Sequence, residues 1–92
     1  MPVLGEDEIR GGLAGLDGWA LVDGAISKRF VFANFLESVM FVNRITGVAE
    51  AANHHPDLAV SWNTVTVTLV THSQGGVTAA DLALAAQIEG LG

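Results

Sequence analysis

The chain contains no cysteine, which excludes a disulfide framework and a thiolate metal site. Basic residues are scarce: four Lys and Arg stand against ten Asp and Glu, for a formal net charge of -6 at pH 7. Lys28 and Arg29 are the only adjacent basic pair. A surface that tracks nucleic-acid phosphates needs several such residues on one face, so no direct nucleic-acid binding is expected, although a bound partner protein could supply it. No linker, repeat or low-complexity tract interrupts the chain, and a single domain over residues 1–92 is expected. The longest stretch without a charged residue runs from Leu58 to Ala80. It holds Thr64, Thr66, Thr68, Asn63, Gln74 and Gly75-Gly76, a polar and turn content that argues against a membrane span. The first ten residues carry Glu6, Asp7 and Glu8 and no apolar run. No signal peptide is therefore expected, and the cytoplasm is the expected compartment.

Hydrophobic residues make up 50% of the sequence and charged residues 15%. That balance suits an ordered fold rather than a disordered chain. It also leaves more apolar surface than one small monomer easily hides, so a homodimer or homotetramer is expected.

Local patterns give an element order. Ile9, Leu13 and Leu16 share one helical face, predicting a first helix from Glu6 to about Leu16, weakened by Gly11, Gly12 and Gly15. Trp19–Val22 and Ala25–Phe32 are strand-like around Asp23-Gly24, a favoured two-residue hairpin turn. Asn34 is placed to cap a helix from Phe35 to about Ala52, with Glu37 at the reciprocal capping position. Phe35, Leu36, Val39, Met40 and Val42 mark its expected apolar face, continued by Val48, Ala49 and Ala52, and Pro56 ends it before His55. Leu58–Trp62 and Thr64–Thr71 read as strands, the second alternating cleanly, with a turn or a bulge between them. Thr78 with Asp81 three residues on predicts a cap on a last helix whose apolar face is Leu84, Ile88 and Leu91. The fold class is thus α+β in the order α-β-β-α-β-β-α: a four-stranded antiparallel sheet with three helices packed on one face.

All three histidines lie between positions 54 and 72, and imidazole is the side chain best suited to proton transfer near neutral pH. Glu50 and His54 stand four apart, so a helix reaching that far puts them on one face. There the carboxylate either orients the imidazole or forms a plain surface pair worth a few tenths of a kcal/mol. His54-His55-Pro56-Asp57 is also ordinary turn chemistry. Three histidines with Glu50 raise the question of zinc, but adjacent histidines on a turn are awkward ligands for one ion and the two-His helical spacing is absent, so no metal is expected. Alternation places His72 with Thr68 and Val70, away from the core, where it is a solvated side chain unless a site recruits it. Asp81 has a local explanation in the cap at Thr78, and Trp19 and Trp62 are of a type that fills cores and interfaces. Gly75-Gly76 is too short for a phosphate loop.

Taken together, Glu50, His54-His55-Pro56-Asp57, Trp62, Thr71-His72 and Asp81, with Gly18-Trp19 and the Phe30 and Phe32 strand, resemble the pterin-4a-carbinolamine dehydratase family. The resemblance covers nearly the whole chain. It implies the fold read above, a dimer or a dimer of dimers, no metal or organic cofactor, and dehydration of 4a-hydroxytetrahydropterin to quinonoid dihydropterin. It further implies His54 and His72 as the acid–base pair, His55 assisting, and Glu50 orienting His54. By the same resemblance Pro56, Thr71, Ser73 and Gln74, with the histidines, would line the pterin site. Trp19 and Asp81 support it, Asp81 by steadying the His72 loop. Asn53 and Val70 stand where some relatives carry Asp and Ser.

Two other function classes compete with the dehydratase. One is a protein-binding module, a dimerisation or assembly partner without catalysis, as some relatives of this fold are; a scaffold has no need of the intact histidine set. The other is a zinc-dependent hydrolase, which stoichiometric zinc in the purified protein would favour.

Overall fold

The computed structural model describes residues 2–92. Three helices, α1 (Glu6–Leu13), α2 (Phe35–Ala52) and α3 (Ala79–Glu89), alternate with four strands, β1 (Ala20–Val22), β2 (Ala25–Val31), β3 (Asp57–Ser61) and β4 (Thr64–Leu69), in the expected order. The strands form one antiparallel sheet in the order β1-β2-β4-β3.

The sheet has one buried face because its strands alternate. Ile26 and Phe30 of β2 and Val65, Val67 and Leu69 of β4 point into a core shared with Ile9 of α1, Phe41 and Ile45 of α2, and Leu84 and Ile88 of α3. Thr64, Thr66 and Thr68 occupy the opposite face, where Thr68 meets Ser27 across the ladder at 3.2 Å. Lys28 lies on the core side of β2, yet keeps its ammonium paired with Glu89 and with the Asp17 carbonyl. The stem is buried while the charge stays at the rim.

Turn and cap chemistry fixes the joints. Asp23 and Gly24 both have positive φ, 51° and 81°, as the tight β1–β2 hairpin requires. The Asn34 side chain accepts from the Glu37 amide at 2.9 Å and starts α2. The β3–β4 connection is a two-residue turn, not a bulge: Ser61 pairs with Thr64, and Trp62 sits between them at φ 49°.

Three expectations need correction. The first helix stops at Leu13 rather than Leu16, since three glycines in so short a segment give its last turn little to hold it. The strands expected to reach Phe32 and Thr71 end at Val31 and Leu69, within the usual uncertainty of strand ends. The buried stripe of α2 is Ser38, Phe41, Ile45 and Ala49, while Phe35, Leu36 and Met40 are exposed. An 18-residue helix with apolar side chains on several faces has no single preferred direction, and only the sheet decides which stripe faces inward.

Candidate active site

The histidine segment follows the end of α2. Asn53 adopts a left-handed conformation, φ 50°, its amide donating to Glu50 O at 3.1 Å, while the His54 amide donates to Ala49 O at 3.1 Å. This is a Schellman ending, and it turns the chain from the helix axis into β3. The turn also breaks the helical relation expected between Glu50 and His54. Glu50 does not orient His54: it pairs with His55 Nε2 instead, both side chains being well exposed.

His54 reaches a different carboxylate. Its Nε2 hydrogen-bonds Asp81 Oδ1, from the first turn of α3. Asp81 is fully buried, at 0% exposure, and the His54 side chain retains 17%. The other Asp81 oxygen, Oδ2, accepts from the Thr71 hydroxyl and from the Thr78 amide, each at 2.8 Å. The Thr71 and Thr78 hydroxyls lie 2.9 Å apart, and Thr78 caps α3 in return. Every oxygen of the buried carboxylate is thus engaged, as burial of a charge demands. Asp81 performs the expected capping and also ties three separate segments together: the entry to β3, the exit from β4, and the start of α3.

His72 opens a short 3₁₀ turn, His72–Gln74, directly after Thr71. Its side chain is 77% exposed and its Nε2 lies 3.6 Å from Asp57 Oδ2. Asp57 pairs with Thr68 in the sheet, so the parity that puts His72 on the Thr68 face puts Asp57 there too. Alternation therefore carries a signal for this partner, beyond the turn chemistry expected of Asp57. The role of Thr78 beyond the cap had no such signal.

The structure brings His54, Thr71, His72 and Asp81 to one corner of the sheet, with Asp57, Pro56, Ser73 and Gln74 alongside in the chain. His55 joins Glu50 at the end of α2. Trp19 stands apart. It is buried edge-on to Phe30 at 6.1 Å between ring centroids, and it borders a cavity of about 310 Å³ with Arg10, Leu13 and Leu21. A second cavity, of about 230 Å³, lies between Leu4, Ile9, Gly76 and Val77. Neither cavity is lined by a histidine. Among the described residues no group of three or more His, Asp or Glu is arranged to hold a metal ion.

A family model described as pterin 4 alpha carbinolamine dehydratase matches residues 2–91. The chain belongs to that family. Among curated members of the pterin 4 alpha carbinolamine dehydratase family, a protein of Mycobacterium avium (strain 104) is 43% identical over 91 residues, covering 99% of this chain and 97% of its own. One from Thermosynechococcus vestitus is 49% identical over 84 residues, covering 91% and 88%. Both carry the provisional name pterin-4-alpha-carbinolamine dehydratase. The crystal structure of a transcriptional coactivator/pterin dehydratase from Brucella melitensis superimposes with a TM-score of 0.92 at 37% identity, over 97% of each chain. A pterin dehydratase-like protein identified as a RuBisCO assembly factor in the alpha-carboxysome shares the fold, with a TM-score of 0.68 at 23% identity over 83% of this chain and 90% of its own.

Proposed function

We propose that this protein dehydrates a 4a-hydroxytetrahydropterin to the quinonoid dihydropterin by proton transfer between the substrate and its histidines. The observation that carries the proposal is the buried Asp81 carboxylate bound to His54 Nε2. A carboxylate that accepts from one ring nitrogen fixes the tautomer and leaves the other, Nδ1, with a free lone pair.

The chemistry asks for two proton transfers. The 4a-hydroxyl leaves well only as water, so it must gain a proton as the carbon–oxygen bond breaks. A ring nitrogen loses its proton, and the electron pair released forms the new carbon–nitrogen double bond. We assign the acceptor role to His54 Nδ1 and the donor role to His72, which follows Thr71 on the same corner and faces the Asp57 carboxylate. His55 and Glu50 assist from the rim. Pro56, Thr71, Ser73 and Gln74 contact the pterin, and Trp19 contributes through the core. The step uses side chains of this chain and calls for no cofactor. We place the protein in the cytoplasm.

Separate His54→Ala and His72→Ala variants are expected to lower turnover of a 4a-carbinolamine by about 10²–10⁴-fold each, the usual contribution of a positioned acid or base. Rates near wild type from either variant, with the fold intact by circular dichroism, would overturn the assignment.

We also propose that the chain self-associates, as a homodimer or homotetramer. Phe35, Leu36 and Met40 leave an apolar stripe on α2 uncovered, and β3 is a sheet edge with open backbone groups. The same stripe supports a second reading, an assembly partner without catalysis. A partner complex formed by a protein with no measurable pterin affinity would favour that reading.

A further inference from the structure

Gly75 and Gly76 follow the His72 turn, and they are glycine for different reasons. Gly75 has φ 77°, and a Cβ there would meet nothing within 4 Å; its backbone conformation alone favours glycine. Gly76 is the reverse. Its φ lies outside the left-handed region, so φ is not what calls for glycine there, but a Cβ would stand 2.7 Å from Val3 Cγ1. Gly76 is buried, and Val3 packs directly on it. One residue on, the Leu4 amide donates to the Val77 carbonyl at 2.8 Å.

Gly76 closes the histidine loop. Its carbonyl accepts from the Thr71 amide at 2.9 Å, and its own amide donates back to Thr71 O at 3.4 Å, so residues 72–75 form a loop whose neck is the Thr71–Gly76 pair. Thr71 in turn donates its hydroxyl to Asp81, the carboxylate that holds His54. Contacts therefore run without a gap from Val3 through Gly76 and Thr71 to Asp81, and the neck sits at the base of the turn that carries His72.

We propose that Val3 and Gly76 are positioning residues: the segment around Val3 braces the neck of the His72 loop, and the missing side chain at Gly76 is what admits the brace. Neither residue touches the substrate. They act by holding His72 in register with His54. The proposal rests on the dehydratase reading for its effect on turnover, but not for its effect on the loop.

The test is a cycle of variants, Gly76→Ala, Val3→Ala and the two combined. Gly76→Ala puts a methyl into the space of Val3 Cγ1 and lifts the brace. Val3→Ala removes that branch, leaving its Cβ an ordinary 3.7 Å from the new methyl, so the double variant refills the contact. Steady-state turnover is measured well below the melting temperature of each variant, with histidine ring ¹³C–¹H NMR signals recorded in parallel. Gly76→Ala is expected to lower kcat about tenfold, less than the ~10²-fold that a 1 Å misplacement can cost, with KM changed less than twofold. It is also expected to shift the His72 ring signals. Val3→Ala alone is expected to give a smaller loss, and the double variant to recover most of both.

A role in stability alone moves the melting temperature and leaves kcat and the ring signals where they were. That result overturns the brace, as does a double variant no better than Gly76→Ala. If Gly76→Ala does not fold, Val3→Ala and the double variant carry the same comparison. A wild-type protein without turnover would count against the dehydratase reading, and the ring signals would still decide the brace.

Discussion

Two carboxylates each hold a histidine, and the difference between them lies in their surroundings. Asp81 is buried and accepts from His54, Thr71 and Thr78. Glu50 and its partner His55 are both largely in water. Asp81→Ala removes the reciprocal acceptor of the Thr78 capping box and leaves buried donors unpaired, at about 1–3 kcal/mol for each that finds no water. A loss of at least about 2 kcal/mol is therefore expected from urea denaturation midpoints. Glu50→Gln is expected to change stability by less than about 1 kcal/mol, because exposed ion pairs contribute little. A Glu50 variant as damaging as the Asp81 variant would reverse this ranking. The sequence showed half of the Asp81 role. Thr78 and Asp81 three apart spell a cap, which is local, whereas the His54 partner is 27 residues away and depends on how α3 docks. The expected Glu50–His54 pair failed for a related reason: four-residue spacing means proximity only inside a helix, and Asn53 ends this one.

Among the elements, the glycines of the helices give a comparison with opposite signs. A Cβ at Gly11 or Gly47 would meet nothing within 4 Å, so Gly11→Ala and Gly47→Ala are each expected to stabilise by about 0.5–1 kcal/mol through helix propensity. A Cβ at Gly12 would lie 2.5 Å from Leu82 Cδ1, where α1 crosses α3. Gly12→Ala is expected to fall about 1 kcal/mol below Gly11→Ala, since the same propensity gain is spent on crowding. Thermal melts of the three variants measure the order. Elements with local punctuation were legible in advance: the Asp23-Gly24 turn, the Asn34 cap, the alternation of β4. The inward stripe of α2 was not, because Phe35, Leu36 and Met40 are as apolar as Phe41 and Ile45. Hydropathy alone does not say which of them meets the sheet.

For the whole molecule, those three exposed side chains are the feature most at odds with a solitary chain in water. Monomers seldom leave a contiguous apolar patch without a use for it. If self-association buries the stripe, Leu36→Glu and Met40→Glu, which lie away from the histidine corner on α2, should lower the sedimentation coefficient toward that of a monomer while the circular dichroism spectrum is kept. An unchanged coefficient at micromolar concentration would remove α2 from the interface and leave the β3 edge as the remaining candidate. The α+β class and the order of elements followed from the sequence, and the family resemblance agreed with them. The meeting of His54 and Thr71 on Asp81 did not follow, since nothing in the spacing of these residues says where α3 docks.

Asp81 carries one more implication, because the same side chain begins the last helix and holds the ring of residue 54. Unwinding of the first turn of that helix releases the imidazole at the same moment. Proton-transfer competence and the integrity of residues 78–82 should therefore be lost as one event. In low urea, catalysis should fade in step with amide protection at Asp81 and Leu82, while the central strands are still slow to exchange.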